Sequence, residues 1–297
     1  MVDRERHQSE SPGTLYVVAG PIGNLEDVTL RALRVLSVVS AVLAEDTRVT
    51  KRLLTRYQIA TPVLPLHAHT SQEQIGRYVH QLLSGQHLAL MTDAGTPGVS
   101  DPAAAMVQSA IDAGVMVSPV PGPSAVTAIV SIAAVPDGRF VFEGFVPRAR
   151  ADRRRLIERI RNETRAVVLY EAPHRLDQTL QDMAEALPGR RLTIGRELTK
   201  RFEEVFRGTV EDAVRWRAQS EPRGEYTLLV HAASPTSERA SAACHTDLDR
   251  ILRDGLQKGV PSKDLVWAAV QATRMPRRAV YTRLLTLRSQ ESGLSEP

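Results

Sequence analysis

The sequence predicts an α/β protein with two α/β domains, the first on a parallel sheet and the second on a mixed sheet, plus a small C-terminal helical module. Three observations carry this. Short apolar runs alternate with helix-period segments from Gly13 to about residue 135, the pattern of βαβ units. Beyond Pro136 further strands follow in a domain that reads as mixed, with some antiparallel strands. A small, polar stretch at 233–246, SPTSERASAACHTD, then reads as a linker to three short helical segments. The expected boundaries are 13–135, 136–235 and 246–290.

In order, LYVVA (15–19) is a strand ending at GPIGN, and 26–39 is helical, with Leu30, Leu33 and Leu36 apolar against Arg31 and Arg34. The apolar run Val38 to Ala44 ends in Glu45-Asp46-Thr47-Arg48, and helical spacing returns at 48–57 and 72–83. HLALMT (87–92) is a strand running into DAGTPGVSDP, followed by a helix at 101–113 with Ser100 as N-cap and Pro102 in the first turn. VMVSPV (115–120) is a strand running into PGPSAV and a helix at about 124–134. In the second half, strands are expected at 140–146, 166–172, 191–197, 203–209 and 225–232, and helices at 150–162, 174–187 and 209–218. The last module offers helices at 247–258, 262–273 and 277–287, with Ser262 and Pro276 as starts.

The composition excludes several classes. No apolar run approaches the ~18 residues of a membrane span, and the polar start MVDRERHQSESPG has no signal-peptide core, so a cytoplasmic enzyme is the expectation. Cys244 is the only cysteine, which rules out intrachain disulfides and cysteine-cluster metal sites. The pair His67 and His69 lacks a helical HxxxH or a nearby cysteine and reads as loop polar groups, so no metal is expected. The formal net charge is +4, which permits a polyanionic partner without demanding one.

Three strands of the first half end in glycine/proline loops: Gly20-Pro21-Ile22-Gly23, Ala94-Gly95-Thr96-Pro97-Gly98 and Pro121-Gly122-Pro123-Ser124. An ordinary βα turn explains any one of them. All three on one sheet edge would make a pocket lined by backbone groups. No GxxxxGK[ST] and no GxGxxG is present, so a phosphate-poor nucleoside such as S-adenosylmethionine fits better than a nucleotide. Asp93 is either a hydrogen-bond acceptor for such a ligand or a cap for its own loop.

At these loops the chain resembles the tetrapyrrole-methylase superfamily, and within it the ribosomal RNA small subunit methyltransferase I family. The matching segments run in order from about 15 to 230: LYVVAGPIGNLEDVTLRALRVL, AEDTRVTKRLL, DAGTPGVSDP, PVPGPSAV, FEGFVPR, YEAPHRL, RELTKRFEE with RGT, and GEYTLLV. Gly20 departs from the family pattern, which usually has Thr before Pro-Ile-Gly-Asn. The resemblance implies a tetrapyrrole-methylase-like fold, a homodimer, and S-adenosylmethionine bound between two domains. It further implies 2′-O-methylation of a cytidine in small-subunit ribosomal RNA near the decoding centre, the substrate being the RNA or the 30S subunit. The cofactor contacts it implies are Pro21 and Gly23, then Asp93, Gly95, Thr96 and Val99, then Ser124 and Ala125, with Tyr170 and the GEYTLL strand closing over the adenosyl part.

Methyl transfer to a ribose hydroxyl needs alignment and a proton acceptor. Candidates lie in three charged clusters beside strand ends: Glu45-Asp46-Thr47-Arg48, Glu171-Ala172-Pro173-His174-Arg175 and Arg196-Glu197-Leu198-Thr199-Lys200. Each could equally be a solvated salt-bridge network. Lys200 or Glu171 is expected to take the proton, with Arg48, Arg175 and Arg196 as phosphate or ribose anchors. Between 148 and 165 eight arginines (Arg148, Arg150, Arg153, Arg154, Arg155, Arg159, Arg161 and Arg165) face three acids (Asp152, Glu158 and Glu163), a basic helix suited to phosphate contacts or simply a solubilising face. The tail adds Arg274, Arg277, Arg278, Arg283 and Arg288, and resembles the family's helix-turn-helix-like extension. Trp267 and Tyr281 are expected in its core. Two other readings remain: a tetrapyrrole-precursor methyltransferase, and a non-enzymatic RNA-binding assembly factor.

Overall fold

The structure is a computed structural model that describes residues 11–219, 221–233, 239–273, 280–285 and 287. It divides into two compact units, one ending at Ala232 and one beginning at Ala233.

The first unit holds two five-stranded sheets. In the first sheet the strands are β1 (Thr14–Val18), β2 (Ala41–Ala44), β3 (Val63–Pro65), β4 (Leu88–Met91) and β5 (Met116–Val120), in the order β3-β2-β4-β1-β5. Every pairing is parallel. The connecting helices are α1 (Leu30–Val38), α2 (Thr47–Arg56), α3 (Gln72–Leu83) and α4 (Ala103–Asp112). Both sheet faces are covered, which is why the strands read as continuous apolar runs rather than alternating ones. Leu15, Leu43, Leu88 and Leu90 pack with Ile75, Tyr78 and Met106 of α3 and α4. Val18, Val42 and Met91 pack on the other face with Leu36 of α1 and Leu53 and Leu54 of α2. The connection after β1 leads to β2 on one side and that after β4 leads to β5 on the other, so a crevice opens between these neighbours at their carboxyl ends.

The second sheet runs β6-β7-β10-β8-β9, with β6 (Phe140–Phe145), β7 (Ala166–Glu171), β8 (Arg191–Arg196), β9 (Glu204–Thr209) and β10 (Tyr226–Val230). β6 and β7 are parallel and the other pairs antiparallel. One face packs on α6 (Arg150–Arg161), α7 (Pro173–Ala186) and α8 (Val210–Arg217) through Leu156, Ile160, Leu176, Met183 and Val210. The other face takes α5 (Ala125–Ile132): Ile129 joins Val168 and Leu229 in one core. That helix starts from the loop after β5, so the first sheet's third loop is anchored on the second sheet.

Several local expectations need correction. β3 lies outside the expected strands, because three residues, two half-buried and one exposed, carry no periodic signal. Ser100 does not cap the fourth helix. Asp101 does, accepting from Gly98, Val99 and Ala103 amides at 2.8–3.2 Å, while Ser100 sits at φ 64° and Pro102 takes the N-cap position.

The second unit contains α9 (Arg239–Gln257) and α10 (Ser262–Thr273), and residues 280–285 are helical. The expected linker therefore ends early: helix begins at Arg239, inside the stretch read as small and polar. Leu248, Leu252, Leu265, Val266, Ala269, Val280 and Leu284 form the core. Trp267 and Tyr281 do not join it; they are 68% and 51% exposed. Arg283 is tied to Asp249 at 2.6 Å. Arg274, Pro276, Arg277, Arg278 and Arg288 lie outside the described residues.

Candidate cofactor and substrate site

The three glycine/proline loops follow β1, β4 and β5 and are tied to one another by their own backbone. Gly20 N–H donates to Gly95 C=O at 2.9 Å, and Gly95 N–H donates to Pro21 C=O at 3.3 Å. The Thr96 hydroxyl donates to Pro123 C=O at 3.0 Å. Gly95 has φ 74°, and a Cβ there would press against Ile22 at 3.3 Å. A fourth segment joins through Asp93, whose Oδ1 accepts the Asp46 amide at 2.8 Å. Asp93 thus ties two strand ends together while remaining exposed to the crevice.

Against these loops lies a cavity of about 400 Å³. The first sheet's side supplies Glu45, Thr92, Asp93, Gly95, Thr96, Val99, Ser100 and Asp101. Ser124 and Ala125 come from the start of α5; Phe145, Tyr170, Glu171, Leu198, Glu225, Tyr226 and Thr227 come from the second sheet. The Tyr170 ring is held edge-on between Phe142 at 4.9 Å and Phe145 at 5.3 Å, and burial pushes its phenol pKa up. Phe145 is 55% exposed, a large apolar side chain at a cavity edge.

Seven of the nine expected cofactor residues, Asp93, Gly95, Thr96, Val99, Ser124, Ala125 and Tyr170, line this cavity. Pro21 and Gly23 do not; Ile22 between them does. Gly23 instead faces the third charged cluster. At φ 152° it leaves room for the Lys200 stem, and a Cβ there would come within 2.3 Å of Lys200 Cγ.

The charged clusters behave differently from one another. Glu171 is buried and lines the cavity, but its carboxylate accepts the Thr179 hydroxyl at 2.5 Å, the Ala172 amide at 2.8 Å and the Arg175 guanidinium at 3.1 Å. That makes it a brace for the start of α7 rather than a free base. Lys200 Nζ lies 2.9 Å from Glu197 and 3.1 Å from Glu225. Burial pulls its pKa down, but the two carboxylates outweigh this and hold it above the ordinary lysine value. A pKa held above the ordinary lysine value speaks against Lys200 as the proton acceptor. Arg196 pairs with Glu204 at 3.1 Å and donates to Arg223 C=O. Glu197 and Thr199 both have positive φ, and the Thr199 hydroxyl is buried without a partner among the described residues, so this loop stores strain beside the site.

Glu45, named in sequence only within its cluster, is half-buried at the cavity wall and accepts the Asp93 amide. Burial first, and Asp93 second, raise its carboxyl pKa above the ordinary value. Its neighbour Asp46 points elsewhere: it caps α2 and grips Arg48, which holds its carboxyl at about 2.

The match to known proteins is extensive. Residues 14–214 fit the family Tetrapyrrole (Corrin/Porphyrin) Methylases. A "Ribosomal RNA small subunit methyltransferase I" from Halalkalibacterium halodurans is 44% identical over 75% of this chain and 77% of that protein. One of the same name from Synechocystis sp. is 39% identical over 93% and 98%. The chain belongs to the ribosomal RNA small subunit methyltransferase I family. Among solved structures, a uroporphyrin-III-C-methyltransferase from Thermus thermophilus superposes with a TM-score of 0.53 at 20% identity, covering 74% of this chain and 94% of that one. At that identity the likeness concerns the fold, a tetrapyrrole methylase fold.

Within this family member, the arginines expected to hold substrate mostly have other tasks. Arg153 is buried and its Nε lies 2.6 Å from Asp182. Arg175 turns inward to Val146 C=O and Glu171. Neither is available to a phosphate. Arg154 pairs with Glu185 and Arg155 with Asp152. Arg48 is 88% exposed but forked onto Asp46. No residue of α6 lines the cavity.

Phe145 and Glu45 are among the cavity residues that sequence reasoning did not single out, as are Ile22, Thr92, Asp101 and Leu198. Phe145 ends a strand whose sequence, FVFEGF, gives no sign of which aromatic stays uncovered.

Proposed function

We propose that the chain transfers a methyl group from S-adenosylmethionine to small-subunit ribosomal RNA, at the 2′-hydroxyl of a cytidine near the decoding centre. The observation that carries this reading is the cavity formed by three mutually bonded glycine/proline loops in a member of this methyltransferase family. Its volume falls within the ~300–1,000 Å³ of small-molecule sites. The donor set is backbone groups, a Thr hydroxyl and the exposed Asp93 carboxylate, with apolar walls from Ile22, Val99 and Leu198. This suits a nucleoside without phosphates: Asp93 and the Gly95–Thr96 backbone to hold its polar groups, Ala125 and Tyr170 to enclose it.

When bound, S-adenosylmethionine supplies a methyl carbon activated by its sulfonium. The chain's own work is alignment, exclusion of water and removal of one proton. Glu45 is the proton acceptor in this reading: a carboxylate with a raised pKa at the cavity wall, closer to the affinity a general base needs than an exposed one. Lys200, paired with Glu197 and Glu225, is not part of the cavity lining; in this reading it positions Glu225, which is. The exposed Phe145 ring suits a base drawn out of its stack.

The test is methyl transfer from labelled S-adenosylmethionine to 30S subunits, deproteinised ribosomal RNA and tetrapyrrole precursors, followed by identification of the modified nucleoside. Label in a 2′-O-methylcytidine supports the reading. Label only in a tetrapyrrole, or none in any substrate, overturns it.

A further inference from the structure

Among the described residues, cations without a carboxylate partner are denser on α2 than on the arginine-rich α6, which leaves only Arg150 so placed. Helix α2, TRVTKRLLTR, carries Arg48, Lys51, Arg52 and Arg56 and no acid. Thr50, Leu53 and Leu54 face the core, which places the four cations together on the opposite, solvent face. Arg48, Arg52 and Arg56 succeed one another at four-residue intervals, about 6 Å apart along the axis, so the row spans roughly 12 Å. Among the described residues no carboxylate pairs with Lys51, Arg52 or Arg56. Arg56 lies 5.9 Å over the Tyr57 ring, which leaves its hydrogen-bonding edge open. Only Arg48, at the helix start, has an acid, Asp46.

The row begins at the candidate site. Glu45, on the cavity wall, and Asp46, bonded to Asp93, immediately precede α2. A strand whose target ribose sits at the cavity can therefore continue along α2 with its phosphates against successive turns.

We propose that the α2 face formed by Lys51, Arg52 and Arg56 is the track for the substrate RNA's phosphate backbone. This rests on the ribosomal RNA reading above. The partner is a single-stranded phosphodiester chain. The stripe holds free cations at helical intervals, and no aromatic or amide side chain on it would read a base edge. Contacts of this kind give affinity and register without sequence choice.

The experiment compares the intact chain, Lys51→Ala/Arg52→Ala/Arg56→Ala and Arg154→Ala/Arg155→Ala in binding deproteinised small-subunit RNA across a salt series. Calorimetry with S-adenosylmethionine reports on the cavity in each. The α2 variant is expected to lose at least about tenfold in RNA affinity near 0.1 M salt. Its log K against log salt slope should flatten by about 2, at ~0.7 per single-strand phosphate contact. Cofactor binding and the α6 variant's RNA binding should match the intact chain. Because all three α2 side chains are exposed, folding should survive; should the triple variant not fold, Arg52→Ala alone is expected to flatten the slope by about 0.7. Unchanged affinity and slope in the α2 variants, or loss in the α6 variant instead, overturns the proposal. If the intact chain methylates ribosomal RNA and the α2 variants bind it normally, only this inference fails. If the intact chain neither binds nor methylates RNA, the proposed function fails and this inference with it.

Discussion

Helices α2 and α6 are both cation-rich, and they present opposite things to solvent. α6 and its flanks hold eight arginines, yet six are ion-paired: Arg153 with Asp182, Arg154 with Glu185, Arg155 with Asp152, Arg159 with Glu143, Arg161 with Glu158 and Arg165 with Glu163. α2 holds four cations, of which one is paired among the described residues. Free charge, not the number of basic residues, sets the field a polyanion meets. The helix with more arginines is therefore the poorer candidate surface. Arg153, Arg154 and Arg159 hold α6 to α7 and β6, since Asp182 and Glu185 lie on α7 and Glu143 on β6.

The comparison breaks most visibly at Arg153. Removing its side chain takes the close guanidinium partner from the Asp182 carboxylate, buried with it, and leaves only the Arg154 Nε at 4.0 Å. Breaking a buried pair from one side costs about 3–5 kcal/mol. Arg153→Ala should therefore show a large fall in denaturation midpoint by chemical unfolding, while its RNA affinity per folded molecule stays unchanged. A small stability loss with weakened RNA binding would mean that Arg153 faces the substrate after all.

The acid that leads into α2 gives the next largest effect. Glu45 faces the cavity and not the stripe, so it leaves the α2 charge intact. Glu45→Gln should lower methyl transfer about 100-fold, in line with loss of a general base, with RNA affinity retained. Its stability should change in the other direction. Burial and Asp93 raise the folded-state pKa above the unfolded value, so the folded state prefers the protonated acid. That favourable contribution is fully present below the ordinary carboxylate pKa and is lost as pH rises through the raised value. The variant should then be the more stable protein at neutral pH and match the intact chain below the ordinary pKa. Unfolding midpoints of both proteins across that pH range check the sign.

Why the sequence misleads about α6 and is nearly silent about α2 has a physical cause. A count within 148–165 finds eight cations against three acids, but Asp182, Glu185 and Glu143 lie 16 to 31 residues away from the arginines they neutralise. Half of the pairing is therefore tertiary; the other three pairs join Arg155, Arg161 and Arg165 to acids two or three residues away. The three loops after β1, β4 and β5 were legible because glycine and proline mark them locally, and parallel topology places them on one edge. Helical spacing made α3 legible: the predicted 72–83 span is the one observed. Glu45 and Asp46 are neighbours with opposite tasks, cavity wall and helix cap, and nothing in their order tells them apart. Trp267 looked like core by size alone, but α10 turns Leu265, Val266 and Ala269 inward and leaves it outside.

A single acid placed on α2 should make it resemble α6. Thr55 is exposed, one turn after Lys51 and three residues after Arg52. Thr55→Glu would set a carboxylate beside both, at spacings that pair on a helix. RNA affinity should drop several-fold and the salt slope flatten by about 0.7, as one phosphate contact is lost. Thermal stability should hold, since exposed helical pairs contribute only about 0.3–0.5 kcal/mol. An unchanged slope would show that the stripe is not in contact with phosphate.

The smallest effect belongs to Arg155, the most exposed of the paired arginines on α6, at 74% against 50% for its partner Asp152. The two are three residues apart on one helix, in full contact with water. Such a pair gains little Coulomb energy and gives up side-chain entropy to form. Arg155→Ala should therefore shift unfolding by no more than about 0.5 kcal/mol. It also unmasks Asp152, so the net field of α6 becomes slightly more negative and RNA affinity should stay level or fall marginally, within about twofold. A several-fold loss from this one change would mean that Arg155 leaves Asp152 for a phosphate when RNA arrives. The distinction between paired and free cations would then fail as a guide to where the backbone runs.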